Sequence, residues 1–224
     1  MLRVYPIFHS GFLVELRECC LLFDYWRGEL PAVDPAKTLY VFVSHGHRDH
    51  YTPRLRELTA RWPRRYFFTG GVAGEAFHTM APGDRAAVDG VTVEAFDSTD
   101  EGVSFLVRAE GTAIFHAGDL NLWYWEGDTE AERAEMTRRF EAVLDRLRGE
   151  SLDLAFLVLD SRQTEADAAA GIDRFQETVG AKYIFPMHFG GDEALLDRRM
   201  ARLRDTTHML DPRRKPYYDL SDDS

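Results

Sequence analysis

The sequence has 224 residues, of which 45% are hydrophobic, so it can bury one good core and nothing in it demands a second domain. Its 27 basic and 38 acidic side chains give a net charge of −11, which argues against a nucleic acid partner. No apolar run is long enough to cross a bilayer, and the adjacent Cys19 and Cys20 offer no disulfide framework. We therefore expect a single domain over residues 1–210 and a polar tail over 211–224, in the cytoplasm and away from membranes.

The first half of the chain is predicted to consist mainly of strands. Short runs rich in apolar and β-branched residues predict strands at 2–7, 12–16, 20–24, 39–43, 66–69, 91–96, 103–107 and 113–116. Thr52 and Pro53 are typical of a helix start, and the predicted helix runs to about Trp62.

The second half alternates helices with buried strands. Helical spacing of apolar residues predicts an outer helix over 128–148. Further helices are predicted at 165–179 and 192–203, and central strands at 154–159 and 183–185. The end of the chain, rich in charge and proline, is expected to be a final edge segment and a loose tail.

The most informative segment is residues 44–50, which carry three imidazoles and a carboxylate directly after a buried strand. Imidazole and carboxylate ligands suit zinc, and also iron or manganese. His45 and His47 lie on one side of an extended backbone and can bind a first ion, whereas Asp49 and His50 face another direction and can reach a second. The segment therefore predicts a metal site.

His-x-His-x-Asp-His after a hydrophobic strand resembles the signature of the metallo-β-lactamase superfamily. Residues 8–15 and 21–24 are similar to the opening strands of the branch that contains L-ascorbate-6-phosphate lactonase and many uncharacterised relatives. The segments 114–119 and 186–189 resemble the later Gly-Asp and histidine motifs of the superfamily. The resemblance implies an α/β fold of four layers, an αββα sandwich with the metal centre at one edge.

The resemblance also assigns roles. It implies that His45, His47, Asp49, His50, Asp119 and His188 are metal ligands, with Asp119 bridging two ions. One or two zinc ions, or manganese or iron, would supply hydroxide at neutral pH for the hydrolysis of a small ester, lactone or phosphoester. Asp49 would help to hold the second ion and would accept a proton from the attacking water, so that Asp49 and Asp119 are the predicted catalytic residues.

One expected ligand is missing. Many members of the superfamily supply a third histidine for the first ion from the loop before the Gly-Asp strand, but residues 95–102 contain no histidine. Asp97 aligns best with the missing position and is a candidate substitute ligand, although a surface turn explains it equally well. Without a substitute, a centre with one ion becomes credible.

Four further residues are weaker candidates near the site. His9 and Asp24 follow the opening strands, His116 precedes the Gly-Asp segment, and each is expected to orient a ligand or the substrate. Arg162 follows a buried strand and either holds a substrate carboxylate or phosphate or pairs with Asp160 or Asp119.

Three functions follow from these residues. The preferred hypothesis is a metal-dependent hydrolase of small metabolites. The missing histidine also fits a metal-binding or ligand-sensing protein that has lost catalysis, and a di-iron redox protein is the least favoured. The substrate and the oligomeric state do not follow from the sequence.

Overall fold

The computed structural model describes residues 1–72, 74, 77–190 and 192–221. Its strands, in chain order, are β1 (Arg3–Phe8), β2 (Gly11–Glu15), β3 (Cys19–Phe23), β4 (Thr38–Val43), β5 (Arg65–Thr69), β6 (His78–Thr79), β7 (Arg85–Val88), β8 (Val91–Phe96), β9 (Ser104–Ala109), β10 (Thr112–His116), β11 (Leu154–Val158), β12 (Tyr183–Met187) and β13 (Tyr218–Asp219). The helices are α1 (Leu55–Leu58), α2 (Glu130–Leu147), α3 (Ala170–Thr178) and α4 (Glu193–Met200).

The strands form two mixed sheets. The first sheet has the order β13-β1-β2-β3-β4-β5-β6, and the second has the order β12-β11-β10-β9-β8-β7. In the first sheet β3, β4 and β5 run parallel, and in the second β10, β11 and β12 do so. Because the carboxyl ends of parallel strands meet at one edge of a sheet, each sheet presents several strand ends and their loops together.

The strand β4 shows why the sheets pack face to face. Tyr40 and Phe42 belong to the core between the sheets, and the ring of Phe42 lies 5.5 Å from that of Phe105 on β9. The alternate residues of β4 pack instead with Leu55 of α1 on the outer face. A strand that is buried on both faces reads as a continuous apolar run, which is how this segment appears in the sequence.

Helices cover the outer faces and complete the four layers. The helix α3 contacts β11, and α2 contacts α3. Thr129 caps α2 in a capping box with Glu132, which fixes where this helix begins. The predicted αββα sandwich is confirmed. No helix of the described residues is long and apolar enough to cross a membrane.

Several predicted bounds were wrong. The helix predicted over 53–62 shrinks to α1, since Thr59 bonds back through its hydroxyl to Leu55 O and turns follow. The helix predicted over 165–179 begins only at Ala170, because Asp167 accepts hydrogen bonds from Thr164 and Arg133 in the preceding turn. The helix predicted over 192–203 is α4, with Asp192 as its cap.

Three short strands were missed because their residues lack a clear apolar pattern, namely β6, β7 and β13. The strand β13 pairs with β1, and its Tyr218 is buried, so the expected final edge segment is present. Residues 222–224 of the expected tail lie outside the described residues. The division at residue 210 stays a prediction.

Candidate metal centre

The ends of several strands bring the candidate residues together at one edge of the sandwich. The strand β4 ends at Val43 and leads into the histidine segment, β10 leads to Asp119, and β12 leads to His188. Two groups result, in each of which the ligand atoms all lie within 4.8 Å of one another. The members are His45, His47 and Asp119 in group A, and His9, Asp49, His50 and His188 in group B.

Asp119 lies between the two groups. Its Oδ1 is 3.2 Å from His50 Nε2 and 3.3 Å from His188 Nε2. Its Oδ2 is 3.4 Å from His45 Nε2. One carboxylate oxygen thus faces each group, which is the arrangement required of a bridging ligand.

Buried polar atoms at the centre have no hydrogen-bond partner among the residues that the structure describes. They are His50 Nε2, His188 Nε2 and Asp119 Oδ1, together with His9 Nε2. Leaving such groups unpaired in a protein interior is costly, so their convergence points to a missing partner. A set of imidazole nitrogens and carboxylate oxygens fits a divalent transition ion such as zinc.

Carboxylates fix the tautomers of two histidines. Asp24 Oδ2 lies 2.8 Å from His50 Nδ1, and Asp160 Oδ2 lies 2.7 Å from His188 Nδ1. An ionised carboxylate can only accept, so Nδ1 carries a proton in both rings, and Nε2 is the nitrogen left to offer a lone pair to an ion. Nε2 of both rings faces Asp119, as metal ligands require.

In group A a serine hydroxyl, and not a carboxylate, fixes the tautomer of His45. The Ser44 hydroxyl donates to Asp24 Oδ2 at 2.7 Å and accepts from His45 Nδ1 at 3.0 Å, which leaves the lone pair of His45 on Nε2. His47 Nδ1 lies 3.1 Å from that nitrogen, and His47 Nε2 lies 3.2 Å from Glu101 Oε2. His47 and Glu101 are more than half exposed, so this group is the more open one.

Asp97 is not brought into either group. Its side chain is exposed, and Oδ1 accepts the Ser98 N–H at 2.9 Å. The neighbouring Thr99 is buried, where its hydroxyl donates to Asn121 O and accepts from Asn121 N. The loop in which a third histidine was expected therefore braces the segment after Asp119, and group A keeps three members.

Two of the weaker candidates are buried beside the centre without facing it as ligands. Asp24 anchors His50 and also accepts the Ser44 N–H at 2.7 Å. His116 is fully bonded, because Gly118 N–H donates to its Nδ1 and its Nε2 donates to Ser10 O. His116 thus holds the backbone next to Asp119 and has no lone pair left for an ion.

Tight backbone packing holds the histidine segment. Gly102 has a φ of +71°, and a Cβ there would lie 2.1 Å from Ser44 O and 2.6 Å from His45 Cβ. Left-handed backbone also occurs at His9, Asp24 and His188, which are not glycines. Such conformations cost energy and persist where the surroundings enforce them, often at functional sites.

Arg162 lies at the rim of the centre and pairs with Asp160 at 2.7 Å. Its guanidinium carbon is 5.6 Å from the ring centre of Trp123 and 5.8 Å from that of Trp125. Nη1 makes no hydrogen bond to any described residue, and the Arg162 side chain is 61% exposed. The pairing foreseen with Asp160 therefore leaves one donor edge of the guanidinium open to solvent.

Burial and charge act against each other on the ionisable groups. Burial disfavours the charged forms, but Asp24 and Asp119 outweigh it and raise the pKa of His50 to about 10. Burial opposes ionisation of Asp24 and Asp119 too, yet the neighbouring histidines lower the pKa of both carboxyls. For His45 burial prevails and lowers the pKa.

Sequence reasoning missed two carboxylates that orient ligands. Asp160 was considered only as a partner of Arg162, and Glu101 was not considered. A signal for Asp160 did exist, because it lies two residues after the end of β11, which is buried and parallel to β10 and β12. Glu101 lies in an irregular loop, and no pattern marks its proximity to His47.

Comparisons with known proteins give consistent matches. The model of the beta-lactamase superfamily domain matches residues 3–147. A metal-dependent hydrolase from Alkaliphilus metalliredigens is 27% identical over 210 residues, which covers 84% of this chain and 85% of that protein.

Solved structures share the fold at low identity. A metallo hydrolase from the archaeon Ignicoccus hospitalis aligns with a TM-score of 0.61 and 16% identity, covering 97% of this chain and 98% of the other. The metallo-beta-lactamase fold protein YhfI from Bacillus subtilis aligns with a TM-score of 0.60 and 12% identity, covering 94% and 95%.

Proposed function

This chain belongs to the β-lactamase superfamily, and from that premise we propose that it is a metal-dependent hydrolase of a small molecule. The observation that carries the proposal is the convergence of buried ligand atoms on the two oxygens of Asp119. His50 Nε2 and His188 Nε2, which have no hydrogen-bond partner among the described residues, face Oδ1, and His45 Nε2 faces Oδ2. The metal-dependent hydrolase from Alkaliphilus metalliredigens, which matches most of the chain, supports the same reaction class.

We propose zinc as the ion, with manganese or iron as alternatives that the same donor set accepts. A bound zinc ion lowers the pKa of water from ~16 towards ~7 and polarises a carbonyl or phosphoryl oxygen. The chain's own residues then have distinct tasks. Asp119 contacts both groups and fixes their relative positions. Asp49, which is partly exposed, accepts a proton from the attacking water.

The two groups are expected to differ in affinity. His50 and His188 are buried and their rings are fixed by carboxylates, whereas His47 is exposed and group A has no fourth member within the described part of the chain. Fewer and looser ligands bind an ion more weakly, because more side-chain freedom is lost on binding. We therefore expect group B, with Asp119, to fill first.

The substrate is proposed to be a small ester, lactone or phosphoester that carries an anionic group. The open guanidinium edge of Arg162 suits a carboxylate or phosphate, and the exposed ring of Trp125 beside it offers an apolar wall. The unpaired, buried Cys19 and Cys20 fit a reducing compartment, so we place the reaction in the cytoplasm.

The test combines metal analysis with turnover. Elemental analysis of protein purified without chelator should find one or two ions per chain, fewer in Asp119→Ala and an unchanged number in His78→Ala, an exposed histidine outside both groups. A panel of a lactone, a p-nitrophenyl ester and p-nitrophenyl phosphate should show hydrolysis that chelation abolishes and zinc restores. Turnover that survives complete metal removal would refute the proposal.

A second candidate function is metal-dependent ligand sensing without catalysis. The observation that favours it is the open group A, which lacks the third histidine typical of the superfamily. In that case the zinc-loaded protein would be inactive on every member of the panel, and a substrate-like anion would still raise its melting temperature.

A further inference from the structure

We propose that His9 serves the metal centre as a hydrogen-bond donor that positions Asp49, and not as a metal ligand. Proximity alone suggests a ligand, because a ring nitrogen of His9 lies within 4.8 Å of the ligand atoms of Asp49, His50 and His188. The inference rests on the proposed metal site, but neither on a substrate nor on turnover.

The partner on the far side of the His9 ring reveals its tautomer. Gly190 N–H donates to His9 Nδ1 at 3.1 Å. A backbone N–H can only donate, so the lone pair of the neutral ring is on Nδ1 and the proton is on Nε2. A protonated Nε2 has no lone pair to offer an ion.

The ligand histidines show the opposite arrangement. In His50 and His188 the far nitrogen faces a carboxylate oxygen, at 2.8 Å and 2.7 Å, and therefore carries the proton. Their Nε2 atoms point into the centre and are the nitrogens left to bind an ion. His9 alone in group B has a donor behind its ring, so the hydrogen-bond direction separates it from its neighbours.

The Nε2–H of His9 faces a carboxylate acceptor. Asp49 Oδ2 lies 3.5 Å from His9 Nε2, and this buried nitrogen has no hydrogen bond among the described residues. A small rotation of the Asp49 side chain would close the contact to hydrogen-bond length. With Oδ2 held by His9, Oδ1 of Asp49 is left to bind the ion.

The backbone around His9 holds the ring in this orientation. His9 has a φ of +59° in the turn between β1 and β2, a left-handed conformation that a non-glycine residue adopts only where its surroundings enforce it. His188 N–H donates to His9 O at 3.2 Å, so the turn is tied to the loop after β12 at both its carbonyl and its side chain. The donor atom is therefore placed before any ion arrives.

Nitrogen NMR tests the tautomer directly. Long-range ¹H–¹⁵N spectra of labelled protein, with His9 assigned by its loss in His9→Gln, should show Nδ1 as the unprotonated and Nε2 as the protonated nitrogen. In protein loaded with ¹¹³Cd, the Nε2 resonance of His188 should couple to the metal and that of His9 should not. A cadmium coupling at His9 Nε2 would overturn the proposal.

Two substitutions test the positioning role. His9→Gln keeps an N–H donor near the Nε2 position, whereas His9→Leu has a similar size and no donor. Zinc affinity, measured by competition with a chromophoric chelator, should stay within about threefold in His9→Gln and fall about tenfold in His9→Leu, the scale of contacts that orient a ligand. His188→Gln, as the ligand control, should lose an ion.

The outcomes separate this inference from the proposed function. Equal losses of zinc affinity in His9→Gln and His9→Leu would show that only the packing of the side chain matters. Loss of an ion in His9→Gln would show that His9 is a ligand. Either result overturns the proposed role of His9. The expected difference in zinc affinity between His9→Gln and His9→Leu should also disappear when Asp49 is replaced by asparagine. Wild-type protein that binds no zinc or cadmium would instead refute the proposed function, and this inference with it.

Discussion

Replacing Asp24 with asparagine should weaken both metal binding and stability, although the side chain keeps its size. Asp24 is 1% exposed and accepts three hydrogen bonds. The Ser44 N–H donates to Oδ1 at 2.7 Å, whereas the Ser44 hydroxyl and His50 Nδ1–H donate to Oδ2 at 2.7 Å and 2.8 Å. Every donor thus meets a charged oxygen.

An amide cannot replace this carboxylate in either orientation. If its NH₂ takes the Oδ1 position, two donors face each other at Ser44 N. If its NH₂ takes the Oδ2 position, it donates to His50 Nδ1 and drives the ring proton to Nε2, the atom that faces Asp119. Hydrogen bonds to charged groups contribute about 1.5–3 kcal/mol each, so losing one and weakening the others should cost about 2–4 kcal/mol. Metal affinity should fall about 10–100-fold.

Two assays measure these effects. Denaturant unfolding of the chelated protein gives the loss of stability, and competition with a chromophoric chelator gives the zinc affinity. Glu101→Gln is the matched control, because it alters a carboxylate–imidazole contact of the same kind at the exposed His47. An exposed pair contributes less than about 1 kcal/mol, so this control should change the stability little and lower the zinc affinity less than Asp24→Asn does. Wild-type stability and zinc affinity in Asp24→Asn would refute the reasoning.

Three further predictions concern pH, metal removal and backbone packing. The pKa of His50 is raised from 6.5 to about 10, so its ion pairing stabilises the chelated protein fully below pH 6.5, and this stabilisation is lost as the pH rises through 10. The free energy of unfolding, measured at a series of pH values, should therefore fall between pH 6.5 and pH 10. A free energy that does not change over this range would contradict the prediction. Zinc at a thousandfold excess over its dissociation constant should add about 4 kcal/mol to the free energy of unfolding, and an unchanged melting temperature after chelation would argue against a metal site. Gly102→Ala should destabilise the fold far more than Gly111→Ala, because both have a positive φ but only Gly102 meets Ser44 O within 4 Å; similar unfolding free energies for the two variants would count against the packing argument.

Local patterns in the sequence were enough to predict most of the strands and helices, and the resemblance to the metallo-β-lactamase superfamily supplied the sandwich. Apolar runs such as that of β4 mark strands buried on both faces, and the predicted helix over 128–148 agrees closely with α2 because Thr129 and Glu132 form its cap. The predicted bounds were wrong where a segment has no strong hydrophobic periodicity and its structure depends on residues distant in the sequence. The short, partly exposed strand β7 has only one β-branched residue and so carries a weak strand signal, and the late start of α3 depends on Arg133.

The sequence by itself determined the superfamily through its motifs, and with it the layered fold and residues 44–50 as a candidate metal segment, because a motif consists of residue types at a fixed spacing along the chain. Only the tertiary structure decided which histidines keep a lone pair for an ion, since that depends on the partner behind each ring. Asp24, Asp160 and Gly190 lie 26, 28 and 181 residues from the histidines that they contact. Spacing along the chain carries no information about such contacts, and they form only when the strand ends meet at one edge of the sandwich.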